Sequence, residues 1–438
     1  MKAFPIIAAL LLTACILTAQ EKTNGAPCTL KITADKPDAI YAINETITFT
    51  ISFADTNGAQ IPGKKMRAYI ERETLPAQVF DIVTADEPLT ITTTLDRPGF
   101  ALCVIYSYEY EPGKKLPNAY AGAGVDVTNI KPGRACPPDF DEFWKSQKAR
   151  LAMIPLKSTL TPVALLNASF NDKVETFDVR IDCVDNLPVS GYYSRPSNAA
   201  PKSCPALLSV QGAGVRSSSR MDNRALNGLI AMDINAHGID NGKSADYYKE
   251  IADGRLKGYS GFSNDNRNTT YFNGMFLRVL RALEFLKTQP EWDGRTLIIT
   301  GGSQGGAQSI MGAALDPDIT ACYAYVTAMC NHNGPLGGTK AGWPRWVPFS
   351  NGATTNTAQS DAAQYYDMCN FAARIKAKTF CNVGFIDTTC APASVYAMYN
   401  SITAPKKMLH YIDSGHGIPR QAYSDGENDL TEYLKTVK

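Results

Sequence analysis

Residues 45–53 alternate along the chain: Ile47, Phe49, Ile51 and Phe53 fall on one side, and Thr46, Thr48, Thr50 and Ser52 on the other. A period of two places the apolar set on one face of a half-buried strand. Residues 65–71 repeat the pattern with Met66, Ala68 and Ile70, residues 90–95 follow it less strictly, and 101–106 are more continuously apolar. Asn57-Gly58, Pro62-Gly63 and Pro98-Gly99 supply turn signals between them. Several short strands within about 100 residues predict a small immunoglobulin-like β-sandwich over 20–130.

The period changes after Lys131-Pro132-Gly133 and Cys136-Pro137-Pro138. Within 139–153, Phe140, Phe143, Trp144 and Leu151 recur at helical spacing. Beyond that, apolar strand candidates at 174–181, 206–210, 229–234, 296–300, 321–328, 379–386 and 407–412 alternate with helical stretches. The clearest helix is 272–287, where Phe272, Phe276, Leu280, Leu283 and Leu286 mark one face and Pro290 ends the pattern. Residues 309–315 and 395–399 read as further helix, and 235–268 as a long polar loop. The βαβα order predicts a mainly parallel sheet covered by helices over 131–438.

The chain starts with Met1 and Lys2, then an uncharged run, 3–14, broken only by Pro5. That is shorter than the roughly 20 apolar residues of a membrane span, so no transmembrane span is expected. It reads as an export signal over 1–19. Two cleavage readings stay open. Leu12-Thr13-Ala14-Cys15 has the form of a bacterial lipobox, which makes Cys15 a lipid anchor. Leu17-Thr18-Ala19 is an ordinary signal-peptidase alternative. Either places the protein outside the cytoplasm of a bacterium, as a periplasmic, secreted or outer-surface lipoprotein.

Composition narrows the partners. Hydrophobic residues make up 44% and charged residues 19%, and 43 Lys plus Arg against 42 Asp plus Glu leave a net charge of +1. Disorder needs the opposite balance, and a nucleic-acid partner needs a cationic surplus. A near-neutral chain suits a neutral substrate such as a glycan. Setting Cys15 aside leaves ten of the 11 cysteines, an even number that in an exported chain fits up to five disulfides. Cys322/Cys330 and Cys381/Cys390 are candidate staples, with buried free thiols as the alternative. No CxxC spacing occurs, so zinc or iron–sulfur ligation is not expected.

The sharpest chemical signal is Gly301-Gly302-Ser303-Gln304-Gly305, a G-x-S-x-G between an apolar strand and an Ala/Gly-rich helix. That context presents a serine hydroxyl above a sheet. The segment lacks the Lys of a phosphate-binding loop. Serine needs a base, and the base an acid, in the order Ser, acid, His. Of four histidines, His416 in Asp413-Ser414-Gly415-His416-Gly417 follows the last strand and is the base candidate. Asp387, at the end of the apolar run 379–386, is the acid; Asp413 is its rival, and a helix-capping role is the alternative for Asp387. The oxyanion donors are the N–H groups of Gln304 and of Ala213, in Gln211-Gly212-Ala213-Gly214. His332, Trp343, Trp346 and His237 are candidate substrate contacts, each weighed against plain packing. No cofactor or metal is called for.

On these segments the chain resembles the acetyl xylan esterase/cephalosporin-C deacetylase family of α/β-hydrolases. The resemblance runs over about 138–435. It is carried by Tyr271-Phe272-Asn273-Gly274, by 281–286, by Trp292-Asp293, by 301–306, by Ala314-Leu315-Asp316-Pro317, and by Asp387-Thr388-Thr389-Cys390 running to Tyr399-Asn400. It implies an α/β-hydrolase fold with Ser303, Asp387 and His416 as nucleophile, acid and base. It also implies Ala213 and Gln304 as oxyanion donors, and an acetylated carbohydrate, xylan or xylo-oligosaccharide, as substrate. The family's hexameric assembly makes an oligomer an open expectation. Asn235-Ala236-His237-Gly238 stands where the family carries Arg-Gly-Gln, so His237 is expected to share in bracing the site. Two other readings stay open: peptide or bulky-acyl ester hydrolysis on the same scaffold, and a noncatalytic glycan-binding surface protein.

Overall fold

The computed structural model describes residues 27–417 and 419–437; the signal and Cys15 readings fall outside them. Two sheets lie at the N-terminal end. One pairs Cys28–Ala34, Ile47–Asp55 and Leu89–Thr93, all antiparallel. The other, of five strands, is built on Ala119–Val125, Gly99–Ile105, Lys65–Arg72 and Leu75–Val83, with Ile40–Tyr41 alongside in parallel. The alternation in the sequence works as expected. Ile47, Phe49, Ile51 and Phe53 are buried and share one apolar cluster with Met66, Ile70, Cys103 and Val125, while the threonines between them stay half-buried.

The remainder is one nine-stranded sheet, with strands numbered here in chain order: β1 (Ser158–Pro162), β2 (Val174–Ile181), β3 (Val189–Pro196), β4 (Cys204–Val210), β5 (Ile230–Ile234), β6 (Trp292–Gly302), β7 (Ala321–Tyr325), β8 (Lys378–Gly384) and β9 (Lys406–Tyr411). Their spatial order is β1-β2-β3-β5-β4-β6-β7-β8-β9. The first three and the β3–β5 junction are antiparallel, and every pair from β5 to β9 is parallel. Such strands are covered on both faces. In β4, Ala206, Leu208 and Val210 join the large core with helices Phe140–Ala152, Tyr271–Thr288 and Gln304–Leu315. Leu207 points the other way, into a cluster with Ile298, Tyr323, Phe380 and Leu430 of helix Arg420–Thr436. This is the α/β-hydrolase arrangement.

Three expectations are corrected. The segment 235–268 is not all loop: Ala245–Asp253 is helical, capped by the Ser244 hydroxyl on the Tyr247 N–H. The strand expected over 321–328 ends at Tyr325, because Val326 and Met329 take positive φ and turn the chain. All ten described cysteines are free, nine of them buried. Each candidate staple has one member inside a strand, Cys322 or Cys381, and one beyond a strand end, Cys330 or Cys390. The thiols pack as small apolar groups instead, with Cys330 donating to the Thr327 and Ala328 carbonyls.

The two parts meet closely. The Glu73 carboxylate accepts the N–H groups of Phe100, in its own sheet, and of Lys340, across the junction, at 2.7 and 2.6 Å. Lys340 Nζ reaches Glu71. Phe100 meets Phe385 edge-on with ring centres 5.0 Å apart. At Gly122 the backbones touch: an added Cβ would lie 2.3 Å from the Phe385 carbonyl oxygen. The Phe385 segment leads directly to Asp387.

Candidate active site

Four strand ends converge. At the end of β6 the chain turns through Ser303 with φ 58° and ψ −120° into helix Gln304–Leu315. A non-glycine residue held there is strained, and the surroundings fix it. The Ser303 N–H donates to the Tyr325 carbonyl at 2.8 Å, and the Ser303 carbonyl accepts the Ala307 and Ala328 N–H groups. The glycines admit the close approach: a Cβ on Gly305 would stand 2.3 Å from the Val210 carbonyl oxygen, and one on Gly301 2.6 Å from Gly305 backbone.

Past β8, Asp387 is buried. Its Oδ1 accepts the Thr389 and Cys390 N–H groups at 2.8 and 2.9 Å, and its Oδ2 lies 2.8 Å from His416 Nδ1. Past β9, the Ser414 carbonyl accepts the Ile386 N–H and fixes the loop that carries His416. His416 Nε2 then lies 2.9 Å from Ser303 Oγ. The structure thus brings together hydroxyl, imidazole and carboxylate in one hydrogen-bonded chain. Since Asp387 Oδ2 can only accept when ionised, His416 Nδ1 carries the proton and Nε2 faces the serine. Asp387, Cys390 and His416 offer ligand atoms within 4.8 Å of one another. Both Asp387 oxygens and His416 Nδ1 are already engaged, so this set does not form an open chelate.

The loop after β4 faces Ser303. A Cβ on Gly212 would stand 3.1 Å from the Gly302 carbonyl and 3.8 Å from Ser303 Cβ. The Ala213 N–H has no acceptor among the described residues, and Gln304 opens a helix whose first-turn N–H groups have no partner within it. The loop is pinned from below. Buried Asp233 accepts the Ser209 hydroxyl at 2.6 Å and the Ser219 N–H at 2.7 Å; burial pushes its carboxyl up to about 6. Gln308 Nε2 donates to the Gln211 carbonyl at 2.9 Å.

His237 closes this brace. Its Nε2 lies 3.1 Å from the Gly214 carbonyl, which can only accept, and its Nδ1 lies 2.8 Å from the Tyr271 hydroxyl. Nε2 is therefore the protonated nitrogen. Burial, with the charges of Arg278, Arg216 and Arg255, pushes the imidazole down to about 4. The ring packs edge-on to Tyr259, whose hydroxyl donates to Gln304 Oε1 at 2.6 Å. Buried Arg278 ties the same turn through the Ala236 carbonyl.

Three expected substrate contacts are corrected. His237 is 1% exposed, His332 0% and Trp346 4%. His332 lies flat on Trp346, with ring centres 5.0 Å apart and planes 2° apart, and Trp346 packs on Phe272 and Tyr366. These rings fill the core behind the site, because the turn at 343–346 is held between Met329, in the loop after β7, and Thr389, in the segment after Asp387. Trp343 is half-buried there, its carbonyl accepting the Met329 N–H and its N–H donating to the Thr389 carbonyl. Sequence reasoning missed Arg216 and Tyr259, and read Cys390 only as a disulfide candidate and as part of the acid segment. Only the fold sets them beside Ser303.

Residues 125–427 match the family described as acetyl xylan esterase. The acetyl esterase Axe7A of Xylanibacter ruminicola is 30% identical over 324 residues, which are 72% of this chain and 70% of that protein. Among solved structures, the acetyl xylan esterase from Paenibacillus sp. R4 superposes with a TM-score of 0.59 at 24% identity, covering 71% of this chain and 98% of that one. Acetyl xylan esterase 1 from Thermoanaerobacterium sp. JW/SL YS485 gives 0.58 at 21% identity, covering 70% and 96%.

Proposed function

The chain belongs to the acetyl xylan esterase family and is a carboxylic ester hydrolase, and from that premise we propose that Ser303, His416 and Asp387 remove acetyl groups from acetylated xylan or xylo-oligosaccharides. The observation that carries this assignment is the chain Ser303 Oγ–His416 Nε2 at 2.9 Å and His416 Nδ1–Asp387 Oδ2 at 2.8 Å.

Ser303 Oγ attacks the acetyl carbonyl while His416 Nε2 takes its proton. Asp387 holds the ring in the tautomer this requires and favours the imidazolium that forms. The N–H groups of Gln304 and Ala213 receive the developing oxyanion, each contributing about 3–4 kcal/mol to the transition state. As the intermediate collapses, the bond to the sugar oxygen breaks and His416 gives its proton to that oxygen, which leaves as a hydroxyl. Water, activated by the same imidazole, releases acetate from the acetyl-serine. Trp343 is the aromatic side chain in this reading that lies against the sugar.

The experiment is acetate release from acetylated xylan by wild type and by Ser303→Ala. Loss of release in a folded variant is the expected result; wild-type turnover by the variant overturns the assignment. The proposal extends to export through residues 1–19, with Cys15 as lipid anchor or cleavage after Ala19. Membrane association abolished by Cys15→Ala supports the anchor, and unchanged fractionation favours cleavage.

A further inference from the structure

Ten of the described arginines hold a carboxylate. Two that do not hold one lie at the site on different loops, Arg216 near Ser303 and Arg345 against the segment that carries Asp387. Arg216 follows the proposed oxyanion turn and is exposed. Its Nη1 donates to the Ala213 carbonyl at 2.9 Å. The point where a Gly212 Cβ would sit lies 3.8 Å from both Arg216 Nη2 and Ser303 Cβ. Arg345, also exposed, follows Trp343-Pro344 and donates to the carbonyl of Thr388, the residue after Asp387.

The acids near these arginines are already occupied. Asp233 is buried and holds Ser209 and Ser219. Asp387 holds His416, Thr389 and Cys390. Neither can turn outward to pair with a guanidinium. Arg216 spends one N–H on Ala213, and four remain in a planar fork. A fork of that shape matches a carboxylate in two parallel hydrogen bonds, which no sugar hydroxyl can return.

We propose that Arg216, assisted by Arg345, binds a carboxylate on the sugar chain, so that the preferred substrates are acetyl esters on glycans bearing uronic acid residues. This rests on the esterase reading and names the substrate class within it. The whole-chain charge of +1 does not oppose it, because the two guanidinium groups act locally, within a Debye length of about 8–10 Å.

The test uses the full chain and two acetylated xylo-oligosaccharides of equal length, one neutral and one carrying a uronic acid branch. Wild type is expected to favour the acidic substrate in kcat/KM, mainly through KM, with the preference shrinking as NaCl is added. R216Q is expected to lower the acidic-to-neutral ratio roughly two- to fivefold, the effect of a partly exposed ion pair; R345Q lowers it less. A wild-type ratio of one or below overturns the proposal and leaves the esterase reading standing. An equal fall on both substrates in R216Q also overturns it, since the guanidinium then acts by holding the Ala213 turn and not by binding a substrate carboxylate. Acetate release from neither substrate by wild type overturns both readings.

Discussion

At the scale of single residues, the site is a set of groups each fixed by a neighbour that leaves it one role. Asp387 is the clearest case. Two backbone N–H groups lock one oxygen, and the other is left for His416. Asp387→Asn keeps the shape but presents an amide that can donate to Nδ1, so the wrong tautomer results. A fall in kcat on the order of 10^3–10^4 is expected, with circular dichroism unchanged; a fall of less than tenfold contradicts the role. Gly305→Ala forces a Cβ to 2.3 Å from the Val210 oxygen, and backbone on both sides leaves no room to yield. A loss of stability above ~2 kcal/mol in urea titration is expected, and a neutral result contradicts the packing. Ser303, Asp387 and His416 were readable because each sits in a short local pattern at a strand end. Arg216 was not, since nothing local distinguishes it, and Cys390 was marked only as a disulfide candidate and as part of the acid segment. His332 and Trp346 misled because an aromatic or imidazole near a catalytic loop reads alike whether it faces substrate or fills the core.

At the scale of elements, the pairing of β6 with β4 and β7 sets where Ser303 emerges, and the brace around His237 sets where the turn at 212–214 lies. The strongly periodic elements were found from sequence within a few residues. The helix expected over 272–287 occupies Tyr271–Thr288. The strand β3 was missed because Gly191 and Pro196 interrupt it. Helix Arg420–Thr436 was missed because Gly426 lies at its centre; that glycine lets Tyr325 pack against it, a Cβ there falling 2.0 Å from the Tyr325 hydroxyl. The brace carries its own pH prediction. Buried His237 titrates near 4, below its ordinary 6.5. Between those values the unfolded chain binds a proton that the folded one does not. The contribution of this group is therefore full above pH 6.5 and falls away as pH drops toward 4, by up to ~3 kcal/mol. His237→Leu removes that slope and, by releasing Gly214, lowers kcat. Urea midpoints from pH 4 to 7 check it; an unchanged slope contradicts the buried neutral imidazole.

At the scale of the whole molecule, the N-terminal sheets are built into the catalytic part. Glu73 fixes the Lys340 turn, and Gly122 lies against the Phe385 backbone two residues before the acid. Burial pushes the Glu73 carboxyl up to about 7. Here the sign is opposite to that of His237. The folded state holds the proton more tightly, so this stabilisation is full below pH 4.5 and is lost as pH rises through 7. Glu73→Gln is expected to flatten stability between pH 4.5 and 7 in the same titration. Gly122→Ala is expected to lower Tm and kcat together, because the displaced segment carries Asp387; a drop in Tm alone contradicts coupling between the two parts. None of this could be read from the sequence, where the Pro-rich stretch near 131–138 signals a boundary but not the contacts across it.

The most direct measurement is peptide mapping by mass spectrometry after stoichiometric reaction with a fluorophosphonate, with residual acetate release followed in parallel. A single adduct on Ser303, with activity falling in proportion to its occupancy, is the predicted result. Full acetate release from protein completely labelled at that position, or inactivation by an adduct elsewhere, would contradict the account.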